Sequence, residues 1–282
     1  MEKEYGGYLP LELSKGRPYY TGDDVIALNA GRYAITYAIE EAGWKKIYLP
    51  YWLCDTVKDA IHVCLPNVEI GYYHIDEQLL PTDVTLYDQE GILWVNYFGL
   101  QSELVIEHLV QQFHGQIIID NTQSFFTEPH PQAWQVYSCR KFFGVSDGSY
   151  VIHQGITRKD IPAHHSSLHA IHLLHSLEQG TNYSYSLNKE NETQLGTCGP
   201  ASMSILTSSI LASVDYKSIQ AIRIHNLAAL HQILAPYNEF PVFRAVPAMS
   251  YPFLWKGLGL REILIQNKIY VPVLWHETLQ NK

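Results

Sequence analysis

The feature that most constrains the fold is a series of short apolar runs, each followed by a turn and then by a stretch with helical spacing. The clearest run is Ile117–Asp120, in which three isoleucines end in a carboxylate. Runs that are apolar at every position are typical of parallel strands buried on both faces, whereas half-exposed strands alternate apolar and polar residues. The sequence therefore predicts an α/β fold in which helices cover both faces of a mostly parallel sheet.

Helical spacing follows several of these runs. After Gly31, the apolar residues Ala34, Ile35, Ala38 and Ile39 recur as they do on one face of a helix. Strands, or short turns, are predicted at VIAL, KKIYLP, VEIGYYHID, ILWVNYFG, QIIID, QVYSCR and SYVIH, and further helices at DTVKDAIHVC and SELVIEHLVQQFHG. Because strands and helices alternate, most neighbouring strands are expected to run parallel.

The character of the sequence changes at about residue 160. Residues 1–22 are rich in Gly, Tyr and Pro and are predicted to form an irregular amino-terminal arm. Residues 23–160 are predicted to form a large α/β domain, and residues 161–282 a smaller α+β carboxyl-terminal domain. The smaller domain is expected to contain helices at HHSSLHAIHLLHSLEQG, PASMSILTSSILASV and AIRIHNLAALHQILAPY, and late strands at PVFRAVPAMSYPFLW and KIYVPVLW.

Composition excludes several classes of partner. The net charge is -9 and no Lys/Arg-rich run occurs, which argues against nucleic acid as the main partner. No apolar stretch approaches membrane-spanning length, and the first residues contain no apolar core of a signal peptide. The 4 cysteines are scattered and are expected to be reduced thiols. Together these features predict a cytoplasmic protein with no membrane and no nucleic acid partner.

Asp120 and Lys141 each follow a predicted buried strand. In open α/β sheets, ligands bind beyond the carboxyl ends of the strands, so an acid and an amine there are expected to face one site. Desolvation would lower the pKa of Lys141 and favour the neutral amine that forms an imine. A pyridoxal phosphate enzyme requires this pair, because an aspartate keeps the pyridine nitrogen protonated. The residues alone also allow a structural aspartate and a surface lysine.

Gly31 lies between a predicted strand and a predicted helix, next to Arg32 and Tyr33. The free amides and the dipole of a helix amino terminus bind phosphate, and a glycine there lets the ligand approach the backbone. The alternative is an ordinary glycine before a helix. Arg140, beside Lys141, is a further cation and a candidate contact for a phosphate or a substrate carboxylate.

Five segments occur in an order that resembles one family: LNAGRYAI, LPYWLCDTV, NYFG, IIIDNTQSFF and YSCRKFFGVSDGSYV. They are similar to the DegT/DnrJ/EryC1/StrS group of pyridoxal phosphate-dependent aminotransferases, which have fold type I. The resemblance extends over nearly the whole chain, and its D-x-x-Q and S-x-x-K elements are the most specific. It implies a three-layer αβα cofactor domain, a small α+β domain and a homodimer in which each subunit completes its partner's site.

The resemblance also implies roles for individual residues. Lys141 matches the Schiff-base lysine, and Asp120 matches the partner of the pyridine nitrogen. The other implied cofactor contacts are Gly31, Arg32 and Tyr33 at the phosphate turn, Gln123 near the ring 3-hydroxyl, Ser138 near the phosphate, and Cys54 at the position of a ring-stacking aromatic residue. On the substrate side, the expected residues are Tyr97, Arg140 and Trp52.

The chain departs from the family pattern at three points. Cys54 is not aromatic, so ring stacking is expected to be weaker or to come from Trp52. Ser138 and Lys141 are closer together than in the common sugar aminotransferase pattern, which weakens any transfer of nucleotide-sugar specificity. The chain also ends soon after KIYVPVLW, so the small domain is expected to be compact or shortened.

The first function expected is therefore that of a pyridoxal 5'-phosphate-dependent aminotransferase. It would move an amino group from an amino acid to a small carbonyl acceptor, such as a keto sugar in surface polysaccharide biosynthesis. Two other functions stay open on the residues alone. One is a relative with this fold and no transaminase activity, acting in binding or regulation, and the other is an α/β protein that binds a phosphorylated ligand.

Histidines cluster between residues 164 and 175. His165, His169 and His172 fall on one face of a predicted helix, which is the arrangement of some metal sites. No carboxylate or cysteine joins this spacing, and such clusters are often solvated or packed, so no metal is expected.

Overall fold

The computed structural model describes residues 5–9, 11–240, 243–271 and 274–275. Within them, one eight-stranded sheet is formed by β1 (Val25–Leu28), β2 (Lys46–Pro50), β3 (Glu69–Ile75), β4 (Pro81–Thr82), β5 (Glu90–Val95), β6 (Ile117–Asp120), β7 (Trp134–Ser138) and β8 (Ser149–Ile152). The helices are α1 (Gly31–Glu41), α2 (Asp55–Cys64), α3 (Glu103–Gln112), α4 (Ile171–Gln179), α5 (Tyr185–Thr197), α6 (Ile205–Ala212), α7 (Tyr216–Leu234) and α8 (Leu260–Gln266).

The sheet is mostly parallel, as predicted. Its strand order is β1-β8-β7-β6-β5-β2-β3-β4, and the strands from β7 to β3 in that order run parallel to one another. β8 is antiparallel to both β1 and β7, and β4 is antiparallel to β3. β1 consequently points in the same direction as β7. The carboxyl ends of β1, β2, β5, β6 and β7 therefore lie along one edge of the sheet, which we call the carboxyl edge.

Side-chain alternation along β6 explains the three layers. Ile118 packs in one buried cluster with Ile35 of α1, whereas Ile117 and Ile119 pack in another with Leu109 of α3. Successive side chains of a strand point to opposite faces, so a strand that is apolar at every position needs a cover on each side. The uninterrupted isoleucines thus determine that helices cover both faces of the sheet.

The carboxyl-terminal part differs from the prediction in its strands. Residues 243–255, within the strand expected at PVFRAVPAMSYPFLW, form no strand. Pro247 and Pro252 lack the amide hydrogen that a sheet ladder requires, which explains the difference. The strand expected at KIYVPVLW lies partly outside the described residues, and 268–271 and 274–275 form none. The domain boundaries at residues 22 and 160 stay predictions.

Two helices were not predicted from apolar spacing, and both are polar or short. α5 buries only Asn191 and Leu195, and α8 has seven residues. None of the helices in the described part of the chain is long and apolar enough to cross a membrane.

We expect Ile118→Ala to destabilise the protein by about 2–5 kcal/mol, because it removes a fully buried side chain from the centre of the sheet. Leu104→Ala on α3 is the matched control, since Leu104 is 81% exposed, and it should change stability by less than about 0.5 kcal/mol. Urea unfolding measures both. Equal losses would contradict the burial of Ile118 between two helical layers.

Candidate functional site

The carboxyl edge brings together the residues that the sequence singled out. A Cβ placed on Gly31 would lie 3.7 Å from the Thr122 hydroxyl oxygen and 4.0 Å from the Ser138 Cβ. Gly31 therefore lies in contact distance of the loop after β6 and of the end of β7. This juxtaposition follows from the parallel register, in which Asp120 pairs with Val136 two residues before Ser138.

Asp120 ends β6 in a buried position, with 5% of its surface exposed. Its Oδ1 accepts a hydrogen bond from the Thr122 amide at 2.9 Å. Burial raises the pKa of Asp120, while the Thr122 hydrogen bonds and the nearby charge of Lys141 act in the opposite direction. The carboxylate is thus desolvated, and one of its oxygens is fixed by the backbone of its own loop.

Lys141 lies one short turn beyond β7, at the end of the 3-10 helix Cys139–Lys141. Desolvation, followed by the positive charge of Arg140, lowers the pKa of Lys141, whereas Cys54 and Asp120 favour its charged form. The side chain is exposed, and this contact with water limits the size of the shift. Asp120, Cys54 and Lys141 are therefore near enough for their charges to interact.

The first turn of α1 has the features of an anion site. Ala30 provides no side-chain cap to α1, as is also the case at the starts of α2, α4, α5 and α8, whereas α3, α6 and α7 are capped by side chains. The first amides of an uncapped helix are available to an anion. Ser138 beside this turn is 8% exposed, and within the described residues its hydroxyl makes no hydrogen bond.

Arg140 points toward α5. Its guanidinium forms an ion pair with Glu192, and its buried Nε has no hydrogen-bond partner among the described residues. Burial and then the charge of Arg32 lower the pKa of Arg140 to about 10, while Asp147 opposes this shift. Arg140 therefore remains a cation at neutral pH, and a second guanidinium lies nearby.

Gln123 supports the loop after β5. Its Oε1 accepts a hydrogen bond from the Phe98 amide at 3.1 Å. Phe98 has a φ of 58°, in the left-handed region that is unusual for a bulky residue, and Gly99 follows with a φ of 69°. A Cβ on Gly99 would lie 2.7 Å from the Ser124 hydroxyl, so only glycine fits against this turn. The D-x-x-Q and NYFG motifs are thus one packed unit.

Tyr97 and Trp52 are connected at the side of the site. Tyr97 is fully buried, and its hydroxyl donates to the Trp52 carbonyl at 2.7 Å. Burial, together with the charge of Asp120, raises the pKa of Tyr97. Trp52 is 49% exposed, and its ring centroid lies 6.1 Å from that of Trp275. Cys54 is exposed and precedes the first residue of α2.

Tyr33 reaches away from the anion site. Its hydroxyl donates to the Leu195 carbonyl at 3.1 Å, which fastens α5 to α1. Gly196 in the same helix lies close to Arg32, because a Cβ on Gly196 would be 3.6 Å from Arg32 Nη1. The backbone of the Gly31–Tyr33 turn is the part that faces the site, while the Tyr33 side chain positions the neighbouring helix.

Sequence reasoning missed two groups of buried polar residues at this edge. In the first, the Asn96 amide donates to Asn121 at 2.9 Å, and the Asn121 amide donates to Gln135 at 2.7 Å. Asn96 and Asn121 directly follow β5 and β6, so polar residues at strand ends were the available signal. In the second, fully buried Asp147 accepts from the Ser204 amide at 2.8 Å and from its hydroxyl at 2.7 Å.

The histidine cluster shows no metal-binding arrangement. His172 is buried, and its Nδ1 lies 2.8 Å from the His169 carbonyl oxygen. His175 stacks on Tyr183. Across the described part of the chain, no group of three or more His, Cys, Asp or Glu side chains could hold a metal ion.

No family model and no curated protein matches the sequence. Solved structures share its fold. Sugar aminotransferase CalS13 from Micromonospora echinospora matches with a TM-score of 0.53 at 13% identity, over 86% of this chain and 70% of its own. A DegT DnrJ EryC1 StrS aminotransferase from Brucella abortus matches with a TM-score of 0.50 at 15% identity, over 89% of this chain and 71% of its own. The fold type I architecture that the resemblance implied is confirmed.

We expect Asp120→Asn to stabilise the protein by about 0.5–2 kcal/mol at neutral pH, because burial disfavours the charged carboxylate. Asn retains an oxygen that can accept the Thr122 amide hydrogen. The pKa of Asp120 is higher in the folded state than in the unfolded state. The stabilisation by Asp120→Asn is therefore complete above the folded-state pKa. It is lost as the pH falls from the folded-state pKa toward the unfolded-state pKa.

Urea unfolding at several pH values measures this gain, and Asp88→Asn on an exposed residue is the control. A loss of stability in Asp120→Asn at neutral pH would show that attraction to Lys141 outweighs the cost of burial.

Proposed function

We propose that this protein is a pyridoxal 5'-phosphate-dependent aminotransferase that transfers an amino group from an amino acid to a small carbonyl compound. The observation that supports this most is the meeting of a buried carboxylate, Asp120, with an amine of lowered pKa, Lys141, beside the uncapped start of α1. Solved structures with the same fold include an enzyme described as a sugar aminotransferase. A keto sugar is therefore the acceptor class that we favour.

Residues are present that could hold the phosphate and the pyridine nitrogen of this cofactor. The phosphate would be held by the first amides of α1, at Gly31 and Arg32, and by the Ser138 hydroxyl. Asp120 would hold the protonated pyridine nitrogen, and Gln123, three residues farther along the chain, accepts a hydrogen bond from the Phe98 amide. The buried Arg140 Nε, which lacks a partner within the described residues, is a further donor on the phosphate side. This donor set suits a phosphorylated pyridine.

When bound, the cofactor supplies an aldehyde and an electron-accepting ring. Asp120 would hold the positively charged ring nitrogen, and its desolvated surroundings would strengthen that interaction. The Thr122 amide fixes one oxygen of Asp120, which limits reorientation of the carboxylate. Asp120 is therefore an electrostatic residue, and it takes no part in moving protons from the substrate.

Lys141 has two functions in this proposal. Its lowered pKa increases the fraction of neutral amine, which is the nucleophilic form. The neutral amine would also accept a proton at Nζ from a substrate carbon and return it to another carbon. The short turn Cys139–Lys141 gives the side chain a fixed origin, while its exposure leaves room for that movement.

The substrate side is expected next to Trp52, whose ring is half exposed near Trp275. Aromatic faces are suitable surfaces for the apolar face of a sugar ring. Tyr97 contributes by holding the Trp52 backbone and does not contact the substrate directly in this proposal.

The assembly and location of the protein are also proposals. A homodimer is supported by the sequence resemblance and by exposed apolar side chains on α4 and α7, among them Leu174, Leu177, Ile222 and Ile233. A cytoplasmic location is supported by the 4 cysteines, all of which are free thiols. The division at residue 160 is supported by the strands of the described residues, which lie between Val25 and Ile152.

The decisive experiment is borohydride reduction of the protein mixed with pyridoxal phosphate, followed by peptide mass spectrometry. We expect the reduced cofactor on Lys141. Lys141→Ala should lose this adduct and reduce amino transfer from glutamate to keto sugars by about 10²-fold or more. Lys45→Ala, on an exposed lysine away from the site, is the control. Attachment at other lysines only, with unchanged activity in Lys141→Ala, would contradict the proposal.

A further inference from the structure

The start of α1 is flanked by two guanidinium groups and one carboxylate. Arg140 contacts Glu192 of α5, and the charge of Arg32 acts on Arg140. Among the ion pairs found in the described residues, none involves Arg32. Asp147 also attracts Arg140, but its oxygens accept hydrogen bonds from Ser204. Within the described residues, Arg32 therefore has no carboxylate in direct contact, although the charge of Asp147 also acts at this point.

Two polar groups near the start of α1 make no hydrogen bond within the described residues. The Arg140 Nε is buried and makes no hydrogen bond. The Ser138 hydroxyl, on a residue that is 8% exposed, makes no hydrogen bond within the described residues, but its oxygen is not fully buried. Ser138 adjoins Gly31, because a Cβ on Gly31 would be 4.0 Å from the Ser138 Cβ, and Arg140 lies close enough to Arg32 of α1 for their charges to interact. A buried donor without a partner is costly, so a ligand that accepts from it gains affinity.

Glu192 is poorly suited to be the permanent partner of Arg140. Its side chain is 45% exposed, whereas that of Arg140 is 18% exposed. A half-exposed carboxylate loses little when it returns to water, because exposed ion pairs contribute little net free energy. A phosphate group has up to about twice the charge and can receive parallel hydrogen bonds from a guanidinium. Phosphate should therefore compete successfully for Arg140.

We propose that Glu192 is a displaceable counter-ion, which a phosphate group replaces when it binds between Arg140, Arg32 and the start of α1. The inference rests on the proposed function in one respect, since the phosphate of the cofactor is the ligand expected at this place. Free inorganic phosphate has the same chemistry and should bind there too. Glu192 thus sets the affinity for phosphate without contacting it.

The proposal makes opposite predictions for two residues of one ion pair. Glu192→Gln removes the competing anion and should tighten binding of inorganic phosphate by about threefold or more. Arg140→Gln removes the cation and should weaken it by about tenfold or more, and Arg140→Lys should have an intermediate effect. Glu190→Gln, on an exposed glutamate of the same helix, should leave phosphate affinity unchanged.

Titration calorimetry of the full-length protein, prepared without cofactor, with inorganic phosphate measures all four variants. Thermal unfolding of each variant confirms that it is folded. If Glu192→Gln binds phosphate no more tightly than the wild-type protein, Glu192 does not compete with phosphate for Arg140 and the inference is wrong. If Glu192→Gln and Arg140→Gln both weaken binding, the ion pair positions the site and phosphate does not displace it, which also overturns the inference.

Parallel measurements with pyridoxal phosphate and with unphosphorylated pyridoxal separate this inference from the proposed function. Attachment of either compound to Lys141 reports the function. An increase in affinity in Glu192→Gln for the phosphorylated compound only reports the inference. Attachment to Lys141 without that increase in affinity supports the proposed function and rejects the role of Glu192 as a counter-ion. Tighter phosphate binding without attachment to Lys141 supports the role of Glu192 and rejects the proposed function.

Discussion

The parallel pairing of β6 with β7 is the constraint on which the rest of the site depends. Asp120 pairs with Val136, so the acid and the turn that ends at Lys141 are both fixed to the same edge of one rigid sheet. Packing of Ile118 against α1 on one face, and of Ile117 and Ile119 against α3 on the other, prevents this pair of strands from shifting. A slip by one residue would move every side chain to the opposite face.

Most of this arrangement could be predicted from short stretches of sequence, because each apolar run and its terminal polar residue are adjacent in the chain. The same reasoning failed where contacts join distant residues. The hydrogen bond from the Ser204 amide to Asp147 spans 57 positions, and no local pattern indicates it. α5 was missed because a helix with only Asn191 and Leu195 buried has almost no apolar stripe. The strand expected at residues 241–255 was wrong for its described part because apolar content outweighed the prolines in the prediction.

The charged residues of the site are all held in electrostatically unfavourable surroundings. Burial shifts Asp120 and Lys141 each toward the uncharged form, and Arg32 and Arg140 repel each other at the start of α1. A ligand that donates a hydrogen bond to Asp120, presents an electrophile to Lys141 and places a dianion between the arginines would relieve these three unfavourable interactions together. Relief of these unfavourable interactions contributes to the binding free energy of such a ligand.

The amide chain from Asn96 through Asn121 to Gln135 limits how the surrounding loops can vary. These side chains join the first residues after β5 and β6 to Gln135 within β7. An insertion directly after Val95 or Asp120 would displace an amide and leave buried donors and acceptors without partners. Insertions a few residues farther along would leave these hydrogen bonds intact. We therefore expect related proteins with different substrates to differ in the outer parts of these loops and to keep the first residue after each strand.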